Sequence, residues 1–469
     1  MIINKTVRAA IAVSLMSSLY ASQTLAAGFA LIENSASGMG NAFAGGSAIA
    51  DDASTVWFNP AGMTRLKGEQ ISVAGHFVSP TADFTDIDSK QGPSAGGAAL
   101  NGAADDGGAN ALVPNFYYVT QLEGEAWFGL GVTVPFGLST DYADDWVGRY
   151  HATKSEVSTL NINPSFAFKY NDKTSIGLGL SLQYIEATLE NNIDSALTCV
   201  GITVAAGQTL ANAQAACIAG QGLIPGTLSQ DSSQSLKGDD FNWGWNIGVL
   251  HDIDKSSRVG FAYRSSIDAN LEGDVDFTVG ASFQNYLTTN FAGTQLEPFL
   301  TDTGVTAGIE LPAQLSVSYV RDVNSELTVM ADVTWTEWSN FNALVIKFDN
   351  LVQPTSIQPE NWEDSYRFAL GANYQIDNKM LVRAGVALDQ TPVPSAEDRT
   401  ARIPGNDRTW VSLGLGYEID ANTSIDVGYS HLFVDDTDIN NTVPGSGQLL
   451  IGSYAADVDI FSVQGNFKF

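Results

Sequence analysis

The sequence predicts an all-β protein, a transmembrane antiparallel β-barrel of about 14 strands with an N-terminal lumenal hatch that plugs it. Three observations indicate this class. Charged residues make up only 16% of the 469 residues, compared with about 25% in soluble domains, whereas 10% are aromatic and 45 residues are Gly. Long stretches alternate between apolar residues and small or polar ones. Short polar turns alternate along the chain with much longer connections.

The alternating stretches have the period of a β-strand with two different faces. In residues 366–376 and 411–419, apolar side chains occupy every second position. Several stretches persist for about ten residues, which is the length of a tilted strand that crosses a bilayer. Aromatic residues near the segment ends, among them Trp243, Trp335 and Trp338, indicate a girdle at the membrane interface. A large soluble β-protein is the alternative.

The turns give the strand number. Short polar turns are predicted at residues 123–125, 171–173, 252–257, 321–325, 377–379 and 420–423. With one strand before the first turn and one after the last, they predict about fourteen strands. Short turns on one side and long connections on the other are typical of outer-membrane barrels. The last strand ends in Phe469, which resembles the recognition signal of the bacterial barrel-assembly machinery.

The N-terminal region contains two different segments. Residues 1–26 are predicted to be a signal peptide, with Lys5 and Arg8 before an apolar run and cleavage after Ala26. We therefore expect a location in the outer membrane of a Gram-negative bacterium. Residues 27–66 are rich in Gly and Ala, do not alternate, and include a short helix-compatible piece around residues 48–54. Because a fourteen-strand barrel is too wide to be filled by its own small lining residues, this segment is the predicted hatch, and residues 67–469 form the barrel.

Charge and cysteine content exclude several classes of protein. The net charge of −30 argues against nucleic acid, whose phosphates require cationic contacts. The acidic residues of the presumed outer loops either keep those loops soluble or bridge lipopolysaccharide phosphates through divalent cations. Cys199 and Cys217 lie in the longest loop, where we expect a disulfide worth about 3 kcal/mol. The sequence predicts no metal site and no cofactor.

Several motifs resemble one family. Gly-Phe-Ala-Leu-Ile-Glu at residues 28–33 is followed by Ser-Gly-Met-Gly-Asn-Ala-Phe at 37–43, and Asn-Pro-Ala-Gly occupies residues 59–62. These motifs resemble the hatch of the FadL-type long-chain fatty acid transporters, a family that includes outer-membrane channels for aromatic hydrocarbons. The resemblance extends through Trp146–His151, Tyr263–Ser265 and Thr336–Ser339 to most of the mature chain.

The resemblance implies passive uptake of a hydrophobic substrate. The substrate would settle in an outer groove, enter a pocket beside the mature N-terminus, displace the hatch and leave sideways through a gap at a kinked third strand. The implied pocket and hatch residues are Phe29, Asn59, Pro60 and Ala61, and the implied gap residues are Pro135, Phe136 and Gly137. Pro and Gly weaken a strand, which supports a wall defect; a strand that simply ends at its loop, and an ordinary turn at Asn59-Pro60, are the alternatives.

A fatty acid also carries a carboxylate that a cation could bind. The candidate partners are Arg264 and Arg367, which are predicted to face the lumen, and Lys347, which lies near the ninth strand, where the resemblance implies a basic residue. The resemblance implies a further cation at the start of the third long loop, but residues 189–192 read Leu-Glu-Asn-Asn. Aromatic or alkane hydrocarbons therefore remain an alternative to long-chain fatty acids.

Two other classes of function are alternatives to transport. The four histidines are scattered, and no Gly-x-Ser-x-Gly motif is present, so the chain is not expected to be an enzyme. A general diffusion porin or an adhesin is the second alternative. The expected partners are long-chain fatty acids or other hydrophobic small molecules, lipopolysaccharide and outer-membrane lipid, and the barrel-assembly machinery during biogenesis.

Overall fold

The computed structural model describes residues 28–469, so the predicted signal peptide, residues 1–26, and Ala27 lie outside the described residues. The described chain forms one large antiparallel sheet of twenty strand segments. In chain order they are β1 (Glu69–Asp86), β2 (Ala111–Gln121), β3 (Ala126–Thr133), β4 (Gly137–Asp141), β5 (Lys154–Asn171), β6 (Thr174–Ile193), β7 (Ser232–Asp252), β8 (Ser257–Arg264), β9 (Ile267–Thr278), β10 (Thr303–Leu311), β11 (Gln314–Asp322), β12 (Leu327–Thr336), β13 (Ala343–Phe348), β14 (Ser356–Pro359), β15 (Ser365–Gln375), β16 (Met380–Asp389), β17 (Arg408–Asp420), β18 (Thr423–Val434), β19 (Thr437–Thr442) and β20 (Leu449–Lys468).

The sheet is a closed barrel because β1 pairs with β20, from Gln70 opposite Lys468 to Asp86 opposite Gly452. Six barrel strands are each divided into two segments, namely β3/β4, β8/β9, β10/β11, β12/β13, β14/β15 and β18/β19. The twenty segments therefore make fourteen barrel strands, which confirms the predicted fold class and strand number.

The two ends of the barrel differ as predicted. Each of the six predicted turns joins two neighbouring barrel strands, such as β5 to β6 and β15 to β16. The other end carries the long connections, among them residues 87–110, 194–231 and 279–302. In outer-membrane barrels the short turns face the periplasm and the long loops face the outside. Within residues 28–469, no helix is long and apolar enough to cross a membrane.

The wall follows the alternation seen in the sequence. On β15, Tyr366, Phe368 and Leu370 are exposed on the outer surface, whereas Arg367 and Ala369 are buried. This division follows from the period of two along a strand. The outer face can therefore contact lipid, while Ser, Asn, Gln and Arg side chains line the lumen.

Residues 28–66 fill the lumen. They contain the helices α1 (Ala36–Met39), α2 (Gly46–Ile49) and α3 (Thr55–Phe58) and a 3-10 helix, Pro60–Arg65. Helix α1 contacts β17, β18 and β20, α2 contacts β8 and β11, and the 3-10 helix contacts β5 and β6. Because these strands lie on different sides of the ring, the segment that contacts all of them must lie inside it. We call residues 28–66 the hatch.

Small residues let the hatch approach the wall closely. A Cβ atom on Gly40 of the hatch would lie 2.8 Å from the Cα atom of Gly414 in β17. The predicted helix around residues 48–54 is wrong. Helix α2 ends at Ile49 because Ala50 adopts a φ of 52°, a left-handed conformation that stops a right-handed helix.

The long connections form a cap over the outer end. They contain the helices α4 (Ser195–Ala205), α5 (Leu210–Gln214) and α6 (Ala281–Phe291). Cys199 of α4 forms a disulfide with Cys217. Both cysteines belong to an apolar core that α4 shares with Phe283 and Leu287 of α6, so two loops distant in sequence form one unit.

Candidate functional site

The N-terminal end of the hatch lies in a cluster of aromatic side chains. The ring of Phe29 lies 4.8 Å from that of Trp338, 5.9 Å from Phe341 and 6.0 Å from both Trp362 and Phe136, measured between ring centroids. We call these five residues the Phe29 cluster. Trp338 is 1% exposed, so its predicted place in the interfacial girdle is wrong.

Interruptions of two barrel strands supply most of this cluster. Trp338 and Phe341 lie between β12 and β13, and Trp362 lies between β14 and β15. At these points the chain leaves the sheet, and the three side chains turn inward and become buried. The break of the alternation in Trp338-Ser339-Asn340-Phe341 was the only sequence signal for this arrangement.

The third barrel strand pairs with the hatch at its break. The backbone N–H of Leu31 donates to the carbonyl of Pro135 at 2.8 Å, and the N–H of Gly137 donates to the carbonyl of Phe29 at 2.8 Å. Phe136 is also tied to the wall, because its N–H donates to Oγ1 of Thr159 at 3.1 Å. The structure thus brings Phe29 and all three predicted gap residues together.

This break leaves part of the wall unpaired. Segment β3 pairs with β2 only from Phe116 to Gln121, and β4 pairs with β5 but not with β2 among the described residues. Residues 111–115 of β2 therefore have a strand neighbour on the β1 side only. Behind them lies the hatch, where the side-chain amide of Asn115 donates to the carbonyl of Glu33 at 3.0 Å. We call this place the wall break.

Below the Phe29 cluster, the hatch and the wall enclose a small space of about 120 Å³, the lumen cavity. It contains charged groups of both signs. Its lining includes Trp338, the cations Arg264, Arg367 and Arg408, and the acids Glu33, Asp332 and Asp389. Two of the three predicted carboxylate partners, Arg264 and Arg367, therefore line one cavity.

The two arginines are held in different ways. Arg264 stacks on the ring of Trp57 at 3.5 Å and donates to the carbonyl of Trp57 and to Oγ of Ser181. Arg367 donates to the carbonyl of Ala42 at 2.8 Å, but its Nε and Nη1 atoms are buried and have no hydrogen-bond partner. Unpaired buried donors are costly, so Arg367 is equipped to receive an acceptor from a ligand.

Lys347 lines neither the lumen cavity nor the outer groove that is described below. It is exposed on β13, whereas its neighbours Ile346 and Phe348 line the outer groove. Since successive side chains of a strand point to opposite faces, Lys347 points away from that groove.

The Asn59-Pro60-Ala61 motif joins the hatch to the wall. The side-chain amide of Asn59 donates to the carbonyl of Ser47 in the hatch at 2.6 Å and to that of Val249 in β7 at 3.1 Å. Its Oδ1 atom accepts from the N–H of Ala61 at 3.0 Å, which caps the 3-10 helix. Pro60 occupies the first position of that helix, where the missing N–H does no harm.

A larger space lies among the outer loops. This outer groove has a volume of about 650 Å³, in the usual range of ligand pockets. It is lined by residues of the stretches 150–151, 189–205, 234–236, 296–300, 344–358, 400–402 and 441–448. Its walls are mostly apolar, with Leu, Ile and Phe side chains from four of these stretches.

The outer groove and the lumen cavity are linked by a buried apolar core. Trp338 of the Phe29 cluster lines the lumen cavity, and the cluster shares a buried apolar core with Ala401, which lines the outer groove. One buried apolar core, which contains the Phe29 cluster, therefore connects the linings of the two spaces, and the wall break lies next to it at Phe136.

Burial sets the charges near the outer groove. Burial lowers the pKa of His151 to about 4 and raises the pKa of Glu360 to about 8. Burial also lowers the pKa of Arg402 to about 10. At neutral pH, His151 is therefore neutral, Glu360 is mainly protonated and Arg402 remains charged. Arg402 and Arg408 were not predicted as site residues, because no local pattern of the sequence distinguishes them from other loop and strand arginines.

The chain is similar to known outer-membrane proteins over nearly its whole length. A family described as outer membrane protein transport protein (OMPP1/FadL/TodX) matches residues 17–469. The long-chain fatty acid transport protein of Escherichia coli K12 is 32% identical over 438 residues, covering 92% of each chain. Outer membrane protein P1 of Haemophilus influenzae Rd is 32% identical over 419 residues, covering 87% of this chain and 86% of that protein.

Solved structures share the fold. The crystal structure of a Pseudomonas aeruginosa FadL homologue has a TM-score of 0.82 at 25% identity and covers 94% of this chain and 100% of that one. The Pseudomonas putida toluene transporter TodX has a TM-score of 0.66 at 17% identity and covers 95% of this chain and 100% of that one. The second likeness concerns the fold alone.

Proposed function

Because the chain belongs to the outer membrane protein transport family (OMPP1/FadL/TodX), we propose that it takes up hydrophobic compounds passively, and that its main substrates are long-chain fatty acids. It is an outer-membrane β-barrel of a Gram-negative bacterium. The relatives that are long-chain fatty acid transport proteins support this substrate class.

One observation carries the proposal: a buried apolar core that contains the Phe29 cluster reaches from the lining of the lumen cavity to that of the outer groove, next to the wall break. The outer groove can hold a ligand of drug size, whereas the lumen cavity of about 120 Å³ is smaller than ordinary ligand sites. Passage from the groove therefore requires the Phe29 cluster to open. A shift of the hatch, to which Phe29 belongs, provides that opening.

Burial of apolar surface drives each step. A substrate gains about 25 cal/mol for each Å² of apolar surface removed from water. In the outer groove this surface meets Leu and Ile side chains, and behind the Phe29 cluster it reaches the wall break. Exit through the wall break delivers it into lipid, so no other energy source is needed. Pro135, Phe136 and Gly137 form the edge of this exit.

The hatch and the lumen arginines have separate roles in this proposal. Asn59, Pro60 and Ala61 anchor the C-terminal part of the hatch to the wall. Movement of the hatch is therefore confined to its N-terminal end, which carries Phe29. Arg264 and Arg367 bind the carboxylate of a fatty acid once it enters the lumen cavity. Lys347 takes no part in this step, because it points away from the outer groove.

The partners during assembly and in the membrane are also part of the proposal. The barrel-assembly machinery recognises the C-terminal strand β20 together with the terminal Phe469, and acidic outer loops contact lipopolysaccharide phosphates through divalent cations. The family is one of transport proteins, and we propose no catalytic role. Three histidines are engaged by side chains of the wall, His76 by Ser462, His251 by Thr174 and His431 by Asp459.

Uptake of two labelled substrates tests this function. Cells that lack their own fatty acid transporter would express this chain and would then be given radiolabelled oleate or toluene. We expect oleate to enter faster than in cells without the chain, and toluene to be accelerated less. Faster entry of toluene alone would favour the aromatic-hydrocarbon alternative. No acceleration of either substrate would refute the function.

A further inference from the structure

The outer groove has one cationic side chain. Among the described residues that line it, Arg402 is the only Lys or Arg and Asp194 is the only Asp or Glu. The carboxylate of Asp194 is already engaged, since Oδ1 accepts from the N–H groups of Ala196 and Leu197 at the start of α4 and Oδ2 accepts from that of Gly226. Arg402 is therefore the charged group of the groove that is available to a ligand.

The hydrogen bonds of Arg402 go to neutral acceptors. Nη1 donates to the carbonyl of Lys154 at 3.1 Å and to Oγ of Ser155 at 2.9 Å, and Nη2 donates to Oδ1 of Asn191 at 3.3 Å. These bonds fix the guanidinium at the outer ends of β5 and β6. They orient the group, but they leave its positive charge without a counter-ion.

Two buried arginines of the chain differ from the partly buried Arg402 in this respect. Arg149 forms an ion pair with Asp231 at 3.1 Å, and Arg383 forms one with Asp426 at 2.7 Å. Within the described residues, Arg402 has no carboxylate oxygen within 4.0 Å. The acid that acts on it electrostatically is Glu360, which is mainly protonated at neutral pH. A charge that is partly removed from water and has no partner is unfavourable, and an anionic ligand would relieve that cost.

Two further polar atoms of the groove lack partners. Oγ1 of Thr400, two residues from Arg402, and Nε2 of His151 are buried and form no hydrogen bond. A hydroxyl can donate to an oxygen acceptor, and so can a neutral imidazole nitrogen in the matching tautomer. One cation and two possible donors thus occur in a groove whose remaining surface is largely apolar, which matches an amphiphile with an anionic head.

We propose that Arg402 binds the carboxylate of an ionised amphiphile in the outer groove, with Thr400 and His151 as additional donors, and so selects fatty acids over neutral hydrocarbons. This inference rests on the proposed function and assigns selection to the groove, before the hatch moves. The hydrocarbon chain lies along the apolar walls formed by Leu189, Leu236 and Ile346, and the carboxylate replaces the missing counter-ion of Arg402. The arginines of the lumen cavity act afterwards.

Binding of a matched pair of ligands tests the role of Arg402. The ligands are oleate and its methyl ester, which has the same chain without the charge, and the full mature protein is held in lipid nanodiscs. Hydrogen bonds to charged groups contribute about 1.5–3 kcal/mol, so we expect Arg402→Met to raise the Kd of oleate roughly 10-fold to 100-fold. The Kd of the methyl ester should stay within about twofold of its original value, because the apolar contacts remain.

Two control variants separate recognition from structure. Arg402→Lys retains the charge and should recover part of the oleate affinity. Arg399→Met removes a buried arginine of the same loop, whose hydrogen bonds go to the carbonyls of Gly405 and Asp438. This variant should leave the Kd of both ligands unchanged. Equal losses for oleate and its ester in Arg402→Met would overturn the proposal. If the wild-type protein bound oleate and its methyl ester equally, the role of Arg402 would be overturned and the transport function would stand. If it bound neither ligand, both the role of Arg402 and the transport function would be contradicted.

Discussion

At the scale of single residues, the side-chain amide of Asn59 connects the hatch to the wall. Asn59 uses both ends of its side chain, since the NH2 group bonds Ser47 and Val249 while the oxygen caps the 3-10 helix at Ala61. No apolar residue can satisfy these three backbone groups. The sequence indicated the motif through its resemblance to a family, but the partners of Asn59 are 12 and 190 residues away and were not predictable.

Replacing Asn59 should loosen the hatch without disturbing the wall. Asn59→Ala leaves two buried carbonyls and one N–H without this partner, and each unsatisfied group costs about 1–3 kcal/mol. We expect amide hydrogen exchange of residues 47–62 to accelerate while exchange in β1 and β20 is unchanged. Ser54→Ala is the control, because Ser54 lies in the same hatch and its side chain forms no capping hydrogen bond. Unchanged protection in Asn59→Ala would contradict the anchoring role.

At the scale of elements, the third barrel strand combines a wall with an opening. It is continuous with β2 as far as Val132, then bends inward at Pro135 and pairs with residues 29–31 of the hatch. Pro lacks the N–H that a sheet neighbour would need, so a local cause for the break was visible in the sequence. That the hatch itself replaces the missing neighbour was not visible, because strand pairing is a long-range contact.

Filling the wall break should slow transport. Gly137→Val places a branched side chain beside Phe136 at the edge of the break, and we expect oleate uptake to fall several-fold while the amount of protein at the cell surface is unchanged. The matched control is Gly75→Val in β1, where an added Cβ would have no atom within 4 Å. Normal uptake by Gly137→Val, with normal surface amounts, would remove the wall break from the route.

At the scale of the whole molecule, the barrel is closed by its own hatch. Fourteen strands leave a lumen wider than side chains alone can fill, and residues 28–66 occupy it with helices α1 to α3 packed against strands on several sides. The remaining lumen cavity is about 120 Å³. We therefore expect the molecule to exclude hydrophilic solutes, which a general diffusion porin would admit.

Planar-bilayer recordings check this closure. We expect the mature chain to show no steady ionic conductance, because water and ions cannot pass the hatch. A variant that lacks residues 28–66 is the comparison and should conduct steadily, since the lumen is then open. Steady conductance of the intact chain would support the porin alternative and would contradict a closed channel.

The sequence by itself determined the wall of this protein. Period-two alternation, six turns and the Gly-rich N-terminal segment are local patterns, and they predicted fourteen strands, an internal hatch and two arginines, Arg264 and Arg367, that line the lumen. The signal peptide stays a prediction. Only the tertiary structure decided where Trp338 and Lys347 point and that Arg402 lies in the outer groove. That groove is assembled from loops between residues 150 and 448, and contacts between segments so far apart depend on closure of the barrel rather than on any local pattern.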